Sequence, residues 1–494
     1  MIRLCLILMC DKDMVFCVSI KALIVRISQM ILRKSYFLLL ILLAGKLTAQ
    51  TNFVIIDSVH VLGLNKTKKS VVLQETDLHP GDTLALDELA TRLNSNEKRL
   101  QSAGLFTLAS INVRNWNTDL NTCNIEIKVQ ENWYIYPYII FELADRNFNV
   151  WRKEFNYSFN RVNYGLALTH INFTGHKDKL KAKVQAGYLR KLELSYEYPY
   201  IWGNWGLSAN VLYTESREVA YKSVNNKPVF YKNENDKKVF FQHKASATLH
   251  YRGSARYFQS LRLEFIQARI DSYVSEFLNP YYFDNSQSDF KYLLLDFVSK
   301  YDNTLYPLYP IGGYKVEFNL RKEGLGFLGD GDNSWFTLMG EKHTSIFSSL
   351  ILSNRLKFKL QLQKNPISYF LNTGIGYSDN EITGYQLYVL DGKSFVLSKN
   401  TLKLKVLDDD IKTFKFMPKY YKVMNIKLFL RFNFDIGMSH DPVFGTENSL
   451  SNTWQYGYGP GIDLILFNNF MLSAEFGITR FGETGIFFDS GFNF

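Results

Sequence analysis

Cysteine and proline are scarce in this sequence of 494 residues, which contains four cysteines and eleven prolines. Three of the cysteines lie within the first 17 residues, so Cys123 stands alone in the remainder of the chain. A lone cysteine excludes an internal disulfide and a cysteine metal site. Beyond residue 50 the sequence also lacks a long apolar stretch, which argues against a membrane-spanning helix in that part.

The long apolar stretches before residue 50 predict an export signal. Arg33-Lys34 forms a basic segment, residues 36–43 form an apolar segment, and Thr48-Ala49 supplies small residues for cleavage. Residues 1–49 are therefore expected to be a leader with a signal peptide. We interpret the residues before Met30 as an over-long start, and an extra membrane helix is the alternative.

The charge of the chain gives little indication of an anionic partner. The leader holds seven Lys and Arg against two Asp and Glu, so half of the formal net charge of +10 leaves with it. The remaining charge is weak and scattered, and a nucleic-acid partner is not expected. No histidine pair has zinc-binding spacing and no nucleophile motif is present, so no catalytic residue, metal or cofactor is expected.

Residues 50–131 predict one small α/β domain. Glycine and proline punctuate it, with a turn at Pro80-Gly81-Asp82 and a helix stop at Gly104. The polar run Asn94-Ser95-Asn96 is expected to break the second helix. The predicted elements are a strand over 54–62, helices over 66–75 and 86–103, and strands over 106–114 and 124–129.

From residue 132 to residue 494, apolar and charged residues alternate with a period of two, which is typical of β-strands. The longest apolar series is Ile426, Leu428, Leu430, Phe432, Phe434, Ile436 and Met438, and the opposite face carries Lys427, Arg431, Asn433 and Asp435. Elsewhere Lys179, Lys181 and Lys183 share one face. Each would cost about 2–4 kcal/mol if it faced lipid near the midplane, so a wet interior is expected.

We therefore predict a mainly β protein, in which a transmembrane antiparallel β-barrel of about sixteen strands follows the α/β domain. The barrel is expected to close, because unpaired backbone groups are costly in hydrocarbon. Polar loops over residues 215–238 and 278–289 fit this arrangement. The last residues also alternate, with aromatic residues at Phe492 and Phe494, whereas a soluble protein usually has a polar tail. A soluble β-protein is the alternative.

Short motifs add to this pattern. In the α/β domain they are Val59 to Leu64, Pro80-Gly81-Asp82 and Gly104-Leu105-Phe106. In the barrel they are Tyr301 to Pro307 with Gly312-Gly313-Tyr314, then Ile382-Thr383-Gly384-Tyr385 with Leu390-Asp391-Gly392, and the closing segment Gly485 to Phe494. Together they resemble the BamA/TamA-type outer-membrane assembly superfamily (bacterial surface antigen family), with a single POTRA-like domain.

The resemblance implies a protein of the cell outer membrane, with the N-terminal domain in the periplasm, that inserts or translocates other proteins. Its partners would be unfolded outer-membrane or secreted protein clients and outer-membrane lipid, with periplasmic or lipoprotein accessory factors as further candidates. The alternative is a passive pore or structural barrel without insertase activity. The single POTRA-like domain is a departure, because assembly factors of this family often carry several.

Two sets of site residues follow from the resemblance. The inward-loop motif would be Ile382, Thr383, Gly384 and Tyr385, with Thr383 where the family has Arg. A Thr can offer one hydrogen bond to an acidic wall but no bidentate ion pair. The seam would join residues 133–143 to the closing strand, in which Gly485, Gly491, Phe492 and Phe494 are the expected signal. Both glycines would weaken that strand, or they would merely fit the barrel curvature.

Overall fold

The computed structural model describes residues 53–254, 256–283, 285–305, 308–328, 331–363, 368–377, 379–412, 423–467 and 470–492. The predicted leader, Tyr306-Pro307 and Phe494 lie outside these residues. The described chain forms two compact units. The first comprises residues 53–62, 75–101 and 109–129, and the second comprises 63–74, 102–108 and the chain from residue 130 onward. None of the helices in the described ranges is both long and apolar enough to cross a membrane.

The N-terminal elements are β1 (Phe53–Leu62), α1 (Lys69–Glu75), β2 (Thr83–Ala85), α2 (Leu86–Ser102), β3 (Phe106–Asn117) and β4 (Thr122–Glu131). The strands form one mixed sheet in the order β2-β1-β4-β3, with β1 parallel to β4. Alternate residues on the two central strands are buried, as a sheet with one covered face requires. Val54 and Ile56 of β1 and Ile125 and Ile127 of β4 are fully buried.

Two features of the α/β domain differ from the prediction. Residues just after the predicted turn form the short strand β2, which pairs with β1. The second helix also continues through Asn94-Ser95-Asn96 without a break. Asn96 Nδ2 and Ser95 Oγ both donate to Arg92 O, at 2.9 and 2.8 Å, and Asn96 Oδ1 accepts from Asp77 N at 2.9 Å. Ser and Asn side chains can disrupt a helix by forming hydrogen bonds with its backbone groups. Here their hydrogen bonds go to partners in the same helix and beside it, so the helix continues.

The C-terminal elements begin with β5 (Ile135–Leu143) and α3 (Phe148–Lys153). The strands that follow are β6 (Val162–Ile171), β7 (Lys179–Gly187), β8 (Leu189–Trp202), β9 (Trp205–Ser216), β10 (Glu218–Val224), β11 (Lys227–Lys232), β12 (Phe240–Arg252), β13 (Tyr257–Ile270), β14 (Asp289–Asp302), β15 (Gly313–Glu323), β16 (Asn333–Ser345), β17 (Leu350–Gln361), β18 (Ser394–Lys412), β19 (Val423–His440), β20 (Gln455–Leu466), β21 (Phe470–Thr479) and β22 (Thr484–Phe492).

Sixteen of these strands form one antiparallel sheet, which confirms the predicted number. Each strand pairs with its neighbour in the chain, except that β9 pairs with β12. The intervening β10 and β11 form a separate hairpin, a feature that was not predicted within the polar loop 215–238. The sheet curls round, because Asn149, which follows the first strand, accepts a hydrogen bond from Phe488 of the last strand at 3.3 Å.

The burial pattern of this sheet is inverted relative to that of a soluble protein. On β19, Phe432 is 48% exposed, whereas the neighbouring Asn433 is 5% exposed. On β17, Leu360 is 48% exposed and the adjacent Lys359 only 6%. Large apolar side chains thus cover the outside of the sheet while polar ones are buried inside. An exposed apolar surface of this extent fits a lipid environment and would be an aggregation hazard in water.

We expect the outer face of β19 to be intolerant of charge. Phe432→Lys should cost about 2–4 kcal/mol of folding free energy in a bilayer, because Phe432 lies at the middle of its strand. The measurement is the fraction folded into lipid vesicles, read from the mobility difference between boiled and unboiled samples. Phe432→Leu is the control for lost volume. Equal folded fractions for the Lys and Leu variants would contradict a lipid-facing position.

Candidate site at the inner loop and the terminal strands

Residues 368–377 and 379–391, in the connection between β17 and β18, fold into the barrel and are called the inner loop. Ile382, Val389 and Leu390 are fully buried in it. Lys359 of β17 donates from Nζ to Thr373 O at 2.7 Å, and Gln386 Nε2 donates to Glu475 Oε1 of β21 at 2.9 Å. Strands so far apart in the sheet can contact one loop only if the loop lies in the lumen.

The motif residue Thr383 binds an acidic residue of the inner wall. Both the backbone N–H and the hydroxyl of Thr383 donate to Asp435 Oδ2, at 3.0 and 2.9 Å. The Asp435 side chain is only 1% exposed, and the nearest cation is Lys399, whose Nζ lies 4.0 Å from the same oxygen. The Thr383 side chain therefore makes one hydrogen bond to the wall, and its backbone adds a second. Hydrogen bonds to a buried carboxylate are among the stronger ones in proteins.

Glycines on the wall allow the loop backbone to approach closely. A Cβ at Gly457 would lie 1.8 Å from Thr383 O, and a Cβ at Gly477 would lie 2.6 Å from Gly384 N. Gly384 itself has φ +85°, in the left-handed region that favours glycine. The spacing Gly457, Gly459, Gly461 puts three glycines on one face of β20, a signal for close approach that the sequence analysis missed.

Tyr385 completes the motif as a buried anchor. Its ring is 2% exposed, its hydroxyl donates to Gln455 Oε1 at 3.1 Å, and the hydroxyl oxygen accepts from Arg480 N at 3.2 Å. Ile382 packs in the same apolar cluster with Ile375 and Leu390. The four motif residues thus all meet the wall formed by β19, β20 and β21, which the resemblance alone could not specify.

Two carboxyl groups of the inner loop are held in surroundings that favour their protonated form. Burial raises the pKa of Glu381 to about 7, against a hydrogen bond from Asn147 that lowers it. Burial likewise raises the pKa of Asp391 to about 6, and Tyr377 donates to its Oδ1 at 2.5 Å. Removing water from a carboxylate disfavours its charge, so both groups bind protons more readily here than in an exposed loop.

A guanidinium that the sequence analysis missed holds the inner loop from the segment after β5. Arg146 donates from Nη1 to Gly376 O and Tyr388 O, at 2.7 and 2.9 Å, and from Nη2 to Leu387 O at 3.2 Å. The planar guanidinium group of arginine has several N–H donors in a fixed arrangement, which suits it to bind three carbonyl oxygens at once. No local sequence pattern marks this residue, because its acceptors are main-chain atoms more than 200 positions away.

Residues 301–305 and 308–314 include the end of β14, the start of β15 and the described part of the connection between them. Asp302 Oδ1 accepts from Thr304 N at 3.1 Å and from Thr304 Oγ1 at 2.7 Å. The rings of Tyr301 and Tyr314 stack with centroids 5.4 Å apart. Gly313 has φ +91°, and a Cβ there would meet Asn303 O at 2.1 Å, so this position requires glycine.

The first and last strands of the sheet, β5 and β22, are not joined by a ladder within the part of the chain that the structure describes. Gly485 is buried and pairs with Gly477, and Gly491 pairs with Met471, so both belong to the β21–β22 ladder. Phe492 is the last residue of β22, and Phe494 is outside the described range. The predicted seam and its signal residues therefore stay a prediction.

The short helix α3 lies against β22 instead. Asn149 Oδ1 accepts from Phe488 N at 3.3 Å, and Arg152 Nη2 donates to Ile486 O at 3.1 Å. The rings of Phe148 and Phe488 meet edge to face at 6.0 Å. Side chains of α3 thus satisfy backbone groups that a neighbouring strand would otherwise bond.

Comparison with known proteins agrees with both parts of this architecture. The POTRA family model, described as surface antigen variable number repeat, matches residues 54–132. A structure of BamA from Haemophilus ducreyi lacking POTRA domains 1-3 aligns with a TM-score of 0.58 and 13% identity, over 89% of this chain and 84% of that one. No curated protein sequence matches the chain at a significant level.

Two further structures show weaker similarity. CdiB from Acinetobacter baumannii aligns with a TM-score of 0.49 and 12% identity, over 89% of this chain and 73% of that one. CdiB from Escherichia coli aligns with a TM-score of 0.47 and 7% identity, over 91% and 92%.

Residues 54–132 are thus a POTRA module, and the sixteen-stranded sheet has the β-barrel fold found in BamA. The predicted POTRA module and the predicted β-barrel fold are confirmed.

We expect Gly457→Ala to undock the inner loop, because the new methyl group would overlap Thr383 O. The measurement is the rate at which added protease cleaves residues 379–388 in the folded barrel. Gly340→Ala is the matched control, since a Cβ at Gly340 has no neighbour within 4 Å. If both variants protect the loop as well as the parent protein does, the close approach at Gly457 is not what seats it.

Docking of the inner loop should weaken as pH rises. A carboxyl whose pKa is higher in the docked state than in the exposed loop favours docking at low pH, and this contribution is lost as pH rises through the raised pKa, about 7 for Glu381. We expect a lower thermal midpoint in detergent at about pH 8 than at about pH 5.

Glu381→Gln should reduce the difference between the two midpoints, because it removes one of the two groups. The exposed carboxylate Glu88 on α2 offers the control Glu88→Gln. A pH dependence that is the same in both variants would show that Glu381 does not contribute.

Proposed function

We propose that this protein inserts or translocates other proteins at the outer membrane, with its POTRA module in the periplasm. The observation that carries the proposal is that, among the residues that the structure describes, no ladder joins β5 to β22 in a barrel with the BamA fold. A strand with unpaired backbone groups can accept a further strand through main-chain hydrogen bonds, with little demand on the side chains of the incoming chain. The clients would be unfolded outer-membrane or secreted proteins.

The POTRA module supplies a second edge of the same kind. In the sheet order β2-β1-β4-β3, the twelve-residue strand β3 is an edge, and its last four residues are exposed. Such an edge can hold an extended client before it reaches the barrel. On this proposal residues 50–131 are the periplasmic domain, residues 132–494 are the barrel, and residues 1–49 are the removed leader. Accessory periplasmic proteins or lipoproteins would complete the machinery.

The packing of the lumen argues against a passive pore. The β10–β11 hairpin joins the inner loop through two hydrogen bonds between Asn226 and Val389, at 2.8 and 3.2 Å. A second apolar cluster, with side chains of the hairpin and the inner loop packed against it, comprises Ile266, Ala268, Ile270, Val274, Tyr282, Phe283, Phe290, Tyr292 and Leu294. A channel for solutes needs a continuous wetted path, and dry clusters of this size obstruct one.

Depletion of the protein in its native cell tests the assembly role. We expect the levels of one or more other barrel proteins in the outer membrane to fall while their precursors accumulate, because their insertion would lose its template. Re-expression of the parent gene should restore them. Unchanged levels of every other barrel and of every secreted client would contradict the proposal.

Electrical conductance through a lipid bilayer distinguishes the proposed insertase or translocase from a passive pore. The parent protein in a planar lipid bilayer is expected to show rare, unstable currents, because the inner loop and the clusters around it occupy the lumen. Steady open conductance in the parent protein would favour a pore.

A further inference from the structure

We infer that residues 146–152 form a clasp that couples docking of the inner loop to covering of the β22 edge, so that the loop and the edge are released together. The inference rests on the proposed function, because it concerns the edge at which a client strand would add. It arises from contacts that the motif residues 382–385 do not make.

The two ends of the clasp contact different parts of the barrel. At one end Arg146 binds three carbonyl oxygens of the inner loop. At the other end Asn149 and Arg152 bind the backbone of β22, and Phe148 packs against Phe488. The clasp, including both ends, is only seven residues long, and five of these residues are helical. A segment so short and largely helical cannot move at one end without affecting the other.

Asn147 joins the two ends within a single side chain. Its Nδ2 donates to Glu381 Oε1 and to Gln386 O of the inner loop, at 2.9 and 2.8 Å. Its Oδ1 accepts from Val150 N at 2.9 Å and so caps the first turn of α3. The amide group is therefore fixed from both sides. Undocking of the loop removes two of its three partners and loosens the capped helix that covers β22.

The backbone groups that α3 satisfies are those that an added strand needs. Phe488 N and Ile486 O lie two residues apart, and alternate residues of an antiparallel strand present their N–H and C=O groups to the same side. Asn149 and Arg152 occupy this donor and acceptor pair in place of a strand. Covering an edge with a helix is a known means of preventing unwanted pairing, and here the cover is tied to the inner loop.

Hydrogen exchange of the purified full barrel in detergent tests the coupling without a client. Asn147→Ser keeps a good cap for α3, but one short hydroxyl cannot replace both amide hydrogen bonds to the inner loop. We expect about tenfold faster exchange in the inner loop, because at least one hydrogen bond of ordinary strength is lost. The coupling predicts that exchange in residues 484–492 accelerates as well, although the substitution changes none of the three residues that contact β22.

Asn226→Ala loosens the inner loop at Val389 from the hairpin side and leaves residues 146–152 unchanged. If the loop and the edge are released together, it should accelerate exchange in residues 484–492 as well as in the loop. Gly340→Ala, where a Cβ meets no neighbour within 4 Å, is the matched control and should change neither region. A reverse experiment uses Arg152→Ala, which acts on β22 directly and should also accelerate exchange in the inner loop.

If Asn147→Ser and Asn226→Ala accelerate exchange in the inner loop alone, the clasp does not couple the two regions. This outcome is distinct from failure of the proposed function, which the depletion experiment measures. Coupling could hold in a passive barrel, and an insertase could work without it.

Discussion

The constraint on which the barrel depends is that its apolar side chains face outward, so every charged side chain on its strands must be satisfied inside. The inner wall holds buried carboxylates such as Asp435, Asp463 and Glu475. Arg431 bridges two of them, with 3.4 Å to Asp463 Oδ1 and 3.2 Å to Glu475 Oε2. A buried charge without a partner is strongly destabilising, whereas a wall of paired charges provides fixed acceptors for a loop that folds against it.

The inner loop exploits this wall in two ways. Hydrogen bonds to Asp435 and Glu475 fix its position along β19 and β21, and the glycines of β20 and β21 let its backbone lie close to the sheet. The two effects depend on one another, because hydrogen bonds at 3 Å need a backbone that can approach. The raised pKa of Glu381 and of Asp391 follows from the same close packing, which excludes water from their carboxyl groups.

Most of the fold could be predicted from the sequence, and part of the site could not. A period of two over strands of ten or more residues determines sheet faces, because a shift of one residue would turn Lys359 toward lipid. The continuity of α2 was not predicted, because Asn96 is satisfied by Asp77, which lies outside the helix. The hairpin β10–β11 was not predicted, because its strands and turn lie inside a polar loop. Thr383 was found through its motif, whereas Arg146 binds carbonyl oxygens, and main-chain acceptors leave no trace in a sequence.

Thr383 stands where the family that the sequence resembles has an arginine, and in this chain the guanidinium that contacts the inner loop comes from a different segment. An arginine within the motif would fix the loop to the wall by its own side chain. In this chain a threonine binds the wall, and the guanidinium that grips the loop comes from Arg146, beside the first strand. The hydrogen bonds from Arg146 to the inner loop therefore depend on where the segment after β5 lies. Because the same segment covers β22, a movement of the terminal strands would also displace the inner loop. An arginine within the motif would not by itself couple the loop to the terminal strands in this way.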